Sequence, residues 1–298
     1  MAMSHTAERG FTLIELSIVL VIIGLLVGGV LVGQDLIRAA QVRATISQIE
    51  KYNTAANTFK GKFGYLPGDI RDPDASSFGF AARGQNAGEG DGNGLVEGIN
   101  NYPAGSNCGY CVGAGETTMF WEDLSKAQLI DGSFSLAYSA TIVNPISSVD
   151  GYLPQAKLGQ GNYVYVWSGG IRFTSYGVGT NFYGLSAVSS LTGGWQVKST
   201  PGLTVQQAYS IDQKVDDGFP QSGNVQAFYI DWGLGFGTTW AAGNGNIGAN
   251  NSGIPTNTAT SGSSSTCYDN GGGSGAQQYS VEISNGSNVN CALSFRFQ

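Results

Sequence analysis

Histidine is almost missing from this chain. The 298 residues hold one, His5, beside the N-terminus. The body of the protein therefore has no imidazole, which excludes a Ser-His-Asp triad and His-ligated metal sites there. Charge is scarce too, at 12% of residues against a usual share of about 25%. Lys and Arg number 14 against 21 Asp and Glu, a net charge of −7. Such a chain lacks the basic surface that neutralises phosphates, so no nucleic-acid partner is expected. No phosphate-binding loop occurs, so any energy for assembly comes from elsewhere. No proline falls between residues 11 and 66, and nothing there interrupts a helix. The composition leans away from an enzyme and towards a structural protein.

What is present is concentrated at the N-terminus. From Leu16 to Gln34 there is no charged residue. A bilayer core of about 30 Å needs roughly 20 apolar residues in helix, and the run fits. A secretory signal peptide would have a shorter apolar region, about 7–15 residues, ending at a cleavage site. Here the pattern continues as a helix. Glu15 stands just before the run, preceded by Phe11, Leu13 and Ile14. An acid at the start of a membrane span marks a functional site by default, because it needs a partner there. Arg9 is the basic residue that keeps this end cytoplasmic.

The stretch Arg9-Gly10-Phe11-Thr12-Leu13-Ile14-Glu15-Leu16 resembles the processing site of type IV prepilins and type II secretion pseudopilins. The resemblance implies cleavage between Gly10 and Phe11 by a prepilin peptidase and N-methylation of the new N-terminal Phe11. It implies that Glu15 neutralises the N-terminal amine of a neighbouring subunit during assembly. A buried carboxylate seeks a cation, which agrees with that role. Residues 1–10 are then a leader and 11–34 the transmembrane and assembly half of the helix.

Beyond Gln34 the sequence turns amphipathic, so 35–64 is the second half of the same helix. Val42, Ile46, Ile49, Asn53, Ala56 and Phe59 recur at spacings of three and four. Arg38, Arg43, Gln48, Glu50, Lys51 and Lys60 are assigned to the opposite, solvated side. Gly61, Gly64 and Pro67 end the pattern. About 50 residues at 1.5 Å each make a rod of roughly 75 Å. The fold expected is α+β and pilin-like: this helix packed on an antiparallel β-sheet head, 65–298, with large loop insertions.

In the head, Glu89-Gly90-Asp91-Gly92-Asn93-Gly94 alternates oxygen-bearing side chains with glycines. That pattern can wrap a hard cation, so Glu89, Asp91 and Asn93 are candidate calcium ligands, with Glu97 able to contribute. The twelfth position from Glu89 is Asn100 rather than Glu, and a flexible acidic loop is the other reading. No other cofactor is expected. Thr118–Ile130 reads as a core helix. Thr204 and Gln207 form a capping box for a helix to Asp217, stopped by Gly218 and Pro220. Asp216 and Asp217 are adjacent acids, but neighbouring helical residues point about 100° apart and no nucleophile accompanies them. Strands are expected at 163–167, 171–173, 225–230, 279–283 and 291–297. In the last, Cys291, Leu293, Phe295 and Phe297 face one way and Ala292, Ser294 and Arg296 the other, as in a half-buried antiparallel sheet. Residues 243–265 are dense in Gly, Asn, Ser and Thr and read as a surface excursion. The order "LPGD … GDGNG", the segment Phe120–Gly132 and the segment Ile211–Gly223 resemble recurring head motifs of large pseudopilin-like proteins.

Four cysteines, Cys108, Cys111, Cys267 and Cys291, all follow the span. With Arg9 inside, the head lies where disulfides persist. Three pairings are open. Cys267–Cys291 is favoured because it would brace the final strand; in pilins a C-terminal disulfide commonly does this. Cys108-Gly109-Tyr110-Cys111 would then close on itself. Its spacing also suits a redox motif or half a zinc site, but a second Cys-x-x-Cys and a βαβ setting are both missing.

The resemblance implies a structural subunit of a type IV pilus or pilus-like filament, not an enzyme. The head exceeds common major pilins in size, which favours a minor or specialised subunit. A pseudopilin of a type II secretion system is the alternative. A tip adhesin is another, with Tyr176, Phe182, Trp195 and Trp240 as candidate stacking surfaces for sugars. The implied partners are prepilin peptidase, other pilin or pseudopilin subunits, an inner-membrane assembly platform, and membrane lipid before assembly. The implied location is the bacterial inner membrane with the head in the periplasm, then the pilus or pseudopilus.

Overall fold

The structure is a computed structural model, and it describes residues 11–84, 88–101, 104–109, 111–134, 149–169, 180–192, 196–231, 237–241 and 259–297. The expected strand at 171–173, and residues Gly10, Tyr176 and Trp195, lie outside the described residues. The chain divides into two units, one ending at Gln41 and one running from Val42 to Gln298.

Helix α1, Leu13–Phe63, begins in the first unit. Its apolar stretch is long enough to cross a membrane, and none of it is buried. Leu16, Ile18, Leu20, Leu25, Leu26, Val30 and Leu31 are all exposed, all round the helix. A helix apolar on every side has no solvated face of its own, so its sides must meet lipid or other helices.

In the second unit α1 buries Val42, Thr45, Gln48, Ile49, Tyr52, Ala55, Ala56 and Phe59. The spacing of three and four is as expected, but the stripe is wider, and Ile46 and Asn53 are only half-buried. Gln48, expected on the solvated side, is instead in the core. Its Nε2 donates to Tyr52 Oη and to the Gln155 carbonyl, and its Oε1 accepts from Lys157 N–H, each at 2.8 Å. These three bonds satisfy the buried amide. Gly64, with φ +82°, ends the helix by bonding its N–H to the Lys60 carbonyl.

Helix α2 is a single turn, Asp74–Ser77. Strands β1, Gly98–Asn101, and β2, Ala104–Cys108, pair as a hairpin. Helix α3, Glu116–Lys126, starts two residues before the expected Thr118 and stops four before Ile130. Its first nine residues are all buried, including Phe120, Trp121 and Leu124. Two chain segments approach its N-terminus closely: a Cβ on Gly68 would collide with the Glu116 carbonyl, and one on Gly115 with the Gly88 carbonyl.

The main sheet is five-stranded and antiparallel. It contains β3 (Asn162–Ser168), β4 (Asn181–Thr192), β5 (Gln196–Thr200), β7 (Val225–Gln226) and β13 (Leu293–Phe297), after the short β6 (Leu203–Thr204) and before or after smaller pairs described below. The order is β3-β4-β13-β7, with β5 on β4. The register sets Val166 beside Tyr183 and Tyr183 beside Phe295. That face packs on the helices: Tyr183 lies 6.0 Å from Phe120 and 6.4 Å from Tyr52, ring centre to ring centre.

The other face is covered as well, contrary to a half-buried sheet. Strands β8 (Phe228–Asp231) and β9 (Gly237–Trp240) form a hairpin over it. Trp167 stacks on Phe182 at 4.7 Å, and Phe228 meets both edge-on. Ser294, on the side expected to face solvent, is fully buried; its hydroxyl donates to the Phe228 carbonyl and accepts from Trp167 Nε1. The expected strand 225–230 breaks at Ala227, whose N–H turns to the Pro220 carbonyl, so β7 stays in the sheet and β8 crosses over it.

Helix α4, Val205–Val215, follows Thr204 with both capping-box bonds present, Gln207 N–H to Thr204 Oγ1 and Thr204 N–H to Gln207 Oε1. Strands β10 (Tyr268–Asp269) and β11 (Gln278–Tyr279) pair, and β12 (Val289–Cys291) pairs with β6. The expected strand 279–283 ends at Tyr279; a 3₁₀ turn, Ile283–Gly286, follows, with Ser284 and Asn285 at positive φ. Cys267 is bonded to Cys291 and Cys108 to Cys111, and all four are buried.

Candidate functional site

The first candidate is the start of α1. Phe11 is 88% exposed, and Thr12 stands at the helix entrance. Thr12 donates its backbone N–H and its hydroxyl to Glu15 Oε2, both at 2.8 Å, and Glu15 N–H donates back to Thr12 Oγ1 at 3.3 Å. This reciprocal pair satisfies donors that a helix start otherwise leaves open. Glu15 forms no ion pair among the described residues. Its charge is therefore held locally, by one residue, on an exposed apolar helix. Gly10, the residue before the expected cleavage point, precedes the described residues.

The second candidate is the acidic loop. Of Glu89, Asp91 and Asn93, only Asp91 joins a group of carboxylates. Its partners are Asp69, from the turn after α1, and Glu116, at the start of α3; their oxygens lie within 4.8 Å of one another. Glu89 is placed against Gly84. Asn93 turns its amide to Asp91 at 3.1 Å and to Glu97 at 3.2 Å. Sequence spacing could not join Asp69 to Glu116, which are far apart along the chain.

The loop is gathered by its buried acids. Asp69 accepts from the N–H groups of Gly92, Asn93 and Gly94 at 2.8, 3.1 and 2.9 Å. Glu116 accepts from those of Gly90, Asp91 and Glu97 at 2.9, 3.2 and 2.8 Å. Burial, with the neighbouring Asp91 charge, pushes the Asp69 carboxyl up to about 7, against the lowering effect of its N–H donors. Burial raises Glu116 well above the usual range, and the Asp69 and Asp91 charges add to it. Two like-charged neighbours in a dry site favour holding a proton. Asp69, Asp91 and Glu116 are also the described residues that come close enough here to share a cation, although the oxygens of Asp69 and Glu116 already take six backbone donors.

Beneath this loop Arg83 and Asp123 form an ion pair at 2.6 Å with both side chains fully buried. Asp123 also accepts from Gly68 N–H at 2.7 Å, which ties the turn after α1 to α3. After α4, Asp216 accepts from Val225 N–H and Asn224 N–H, and Asp217 from Phe219 N–H and Ser222 Oγ. These acids hold a turn. With Asp212 they form a second close acidic group.

Two of the four aromatics considered as stacking surfaces are in the core. Phe182 is buried against Trp167, and Trp240 against Phe228 and Tyr268. They cannot present a face to a ligand in this fold. Cys108 and Cys111 are 1% and 0% exposed, which suits a structural link rather than exchange with an external thiol.

Residues 5–31 match the prokaryotic N-terminal methylation motif. No curated protein and no solved structure matches the chain. The match covers residues 5–10, Phe11, Thr12, Glu15 and most of the exposed apolar run of α1. This chain therefore carries at its N-terminus the prepilin-type signature of type IV pilins and pseudopilins.

Proposed function

We propose that the protein is a structural subunit of a type IV pilus or pilus-like filament, a minor or specialised one given its large head. Prepilin peptidase cuts between Gly10 and Phe11 and methylates Phe11. The apolar half of α1 holds the precursor in membrane lipid, with the head in the periplasm. An assembly platform then lifts it into the filament, where Glu15 meets the terminal amine of a neighbour. The observation that carries this reading is the methylation motif placed on a helix whose apolar sides are unburied among the described residues. Moving such a surface from lipid to a bundle of like helices keeps it out of water in both states. The chain is not read as an enzyme. Its buried acids gather loops, and its cysteines are bonded.

The test is fractionation of the native host. The mature chain should begin at methylated Phe11 and appear as a trace component of sheared filaments. A chain still beginning at Met1, or absent from every filament fraction, would overturn the reading. Loss of protein secretion on deletion, with surface pili intact, would assign the same motif to a pseudopilin.

A further inference from the structure

The last turn of α1 and the acidic loop enclose a depression of about 480 Å³ on the head. Two cations open onto it, Lys60 and Arg71. Both are exposed, and neither takes part in an ion pair among the described residues. Most of the described basic residues lack an ion pair; what sets Lys60 and Arg71 apart is that they share one concavity.

Arg71 is held in place. Its Nε donates to Tyr65 Oη at 3.0 Å, and its guanidinium carbon lies 5.7 Å from the centre of the Tyr65 ring. Tyr65 Oη in turn donates to Asp74 at 2.6 Å. Gly92 forms the wall behind them: a Cβ there would press on the Tyr65 ring at 3.1 Å and stand 3.7 Å from Arg71 Nε. Gly92 also has φ +73°, so glycine is needed for two reasons. The two terminal amino groups of Arg71 have no protein acceptor among the described residues. A fixed planar fork with both tips free is the usual donor set for a carboxylate or phosphate, and Lys60 adds a mobile point charge.

The Asp74 and Asp69 charges lie near enough to favour the charged form of Arg71, and Asp69 lines the depression, but neither forms an ion pair with Lys60 or Arg71. Asp74 takes the Tyr65 hydroxyl, Asp91 takes the Asn93 N–H and amide, and Asp69 takes three backbone N–H groups. The volume falls within the roughly 300–1,000 Å³ of small-molecule sites.

We propose that the depression between Lys60, Arg71 and Gly92 binds the oxyanion, carboxylate or phosphate, of a small ligand. This rests on the head alone and stands whether or not the filament reading holds.

The test is calorimetric titration of the full chain in a neutral detergent with inorganic phosphate in one arm and glucuronate in the other. Saturable binding of at least one is expected, weakened about tenfold or more by Arg71→Gln and by Lys60→Gln. Gly92→Ala should weaken it too, with both cations present, by displacing Tyr65 and Arg71. Thermal melting of each variant shows whether the head is still folded; Arg71→Lys, which keeps the charge without the fork, serves if Arg71→Gln is not. Binding of phosphate alone, or of glucuronate alone, identifies the oxyanion. No saturable binding of either, or equal binding by the Lys60→Gln, Arg71→Gln double variant, overturns the proposal.

Discussion

The Glu15 carboxylate takes two hydrogen bonds from one residue, the backbone N–H and the hydroxyl of Thr12, each at 2.8 Å. The acid thus has a partner before any neighbour arrives. Both bonds fall on Oε2, so the pairing proposed with a neighbour's amine can use Oε1 without displacing Thr12. Glu15→Val should leave leader removal intact and sharply reduce incorporation into filaments. Thr12→Val, which keeps the N–H donor and loses only the hydroxyl, should have a smaller effect. Immunoblots of sheared filaments against whole cells measure both. Normal assembly of the Glu15 variant would refute the pairing role.

Gly10→Phe should leave the leader attached. The expected readout is a heavier precursor retained in the membrane. An N-terminal sequence starting at Phe11 in that variant would count against the peptidase assignment.

Gln48 serves the core while looking, in sequence, like a surface residue. Gln48→Ala removes its hydrogen bonds to the Gln155 carbonyl and the Lys157 N–H, both part-buried. Each lost bond costs about 0.5–1.5 kcal/mol, since water can reach a part-buried group. Urea titration should show a loss of roughly 1–3 kcal/mol, whereas Lys51→Ala on the exposed side should change little. Equal midpoints for the two variants would contradict the buried placement.

The two disulfides should differ in weight. Cys267–Cys291 spans a separation of 24 and Cys108–Cys111 one of 3. Chain entropy then assigns about 3–4 kcal/mol to the first and about 2 to the second. Replacing both cysteines of each pair by serine and comparing denaturation midpoints checks the order.

Stability should respond to pH through acids held above their usual range. Burial raises Asp212 to about 7, although the Tyr279 hydroxyl and Gly218 N–H that it accepts pull the other way. Between about pH 4, where an unfolded Asp ionises, and pH 7, the folded state holds a proton that the unfolded state has released. The stability is therefore full below pH 4 and lost as pH rises to 7, by at most about 1.4 kcal/mol per pH unit for one proton. Asp212→Asn, which can bond to both partners, should flatten that slope. An unchanged profile would show that Asp212 ionises normally. Asp69 and Glu116 act in the same direction. Addition of calcium at neutral pH should leave the melting temperature unchanged if protons serve these acids; a calcium-dependent rise would assign the loop to an ion.

Reading along the chain reached α1, the acid before its apolar run, the Thr204–Gln207 cap and the final strand, and much of the sheet around them stayed hidden. These features are local or periodic: a motif of adjacent residues, a repeat of three and four, a cap across one turn. The longest strand, β4, escaped because its alternation is broken by Gly184 and Ser186. Those small residues lie under the Tyr165 ring and beside its hydroxyl, and only the paired strand reveals why they are small.

The sequence by itself determined the N-terminal methylation motif and a helix long and apolar enough to cross a membrane, because a signature of contiguous residues and an unbroken apolar run need no tertiary partner. Only the tertiary structure decided that Asp69 and Glu116 close on Asp91, that Gln48, Phe182 and Ser294 are interior, and that Arg71 stands fixed at the rim of a cavity. Each of those depends on segments far apart in the chain being packed together, and burial and hydrogen-bond partners exist only once they are.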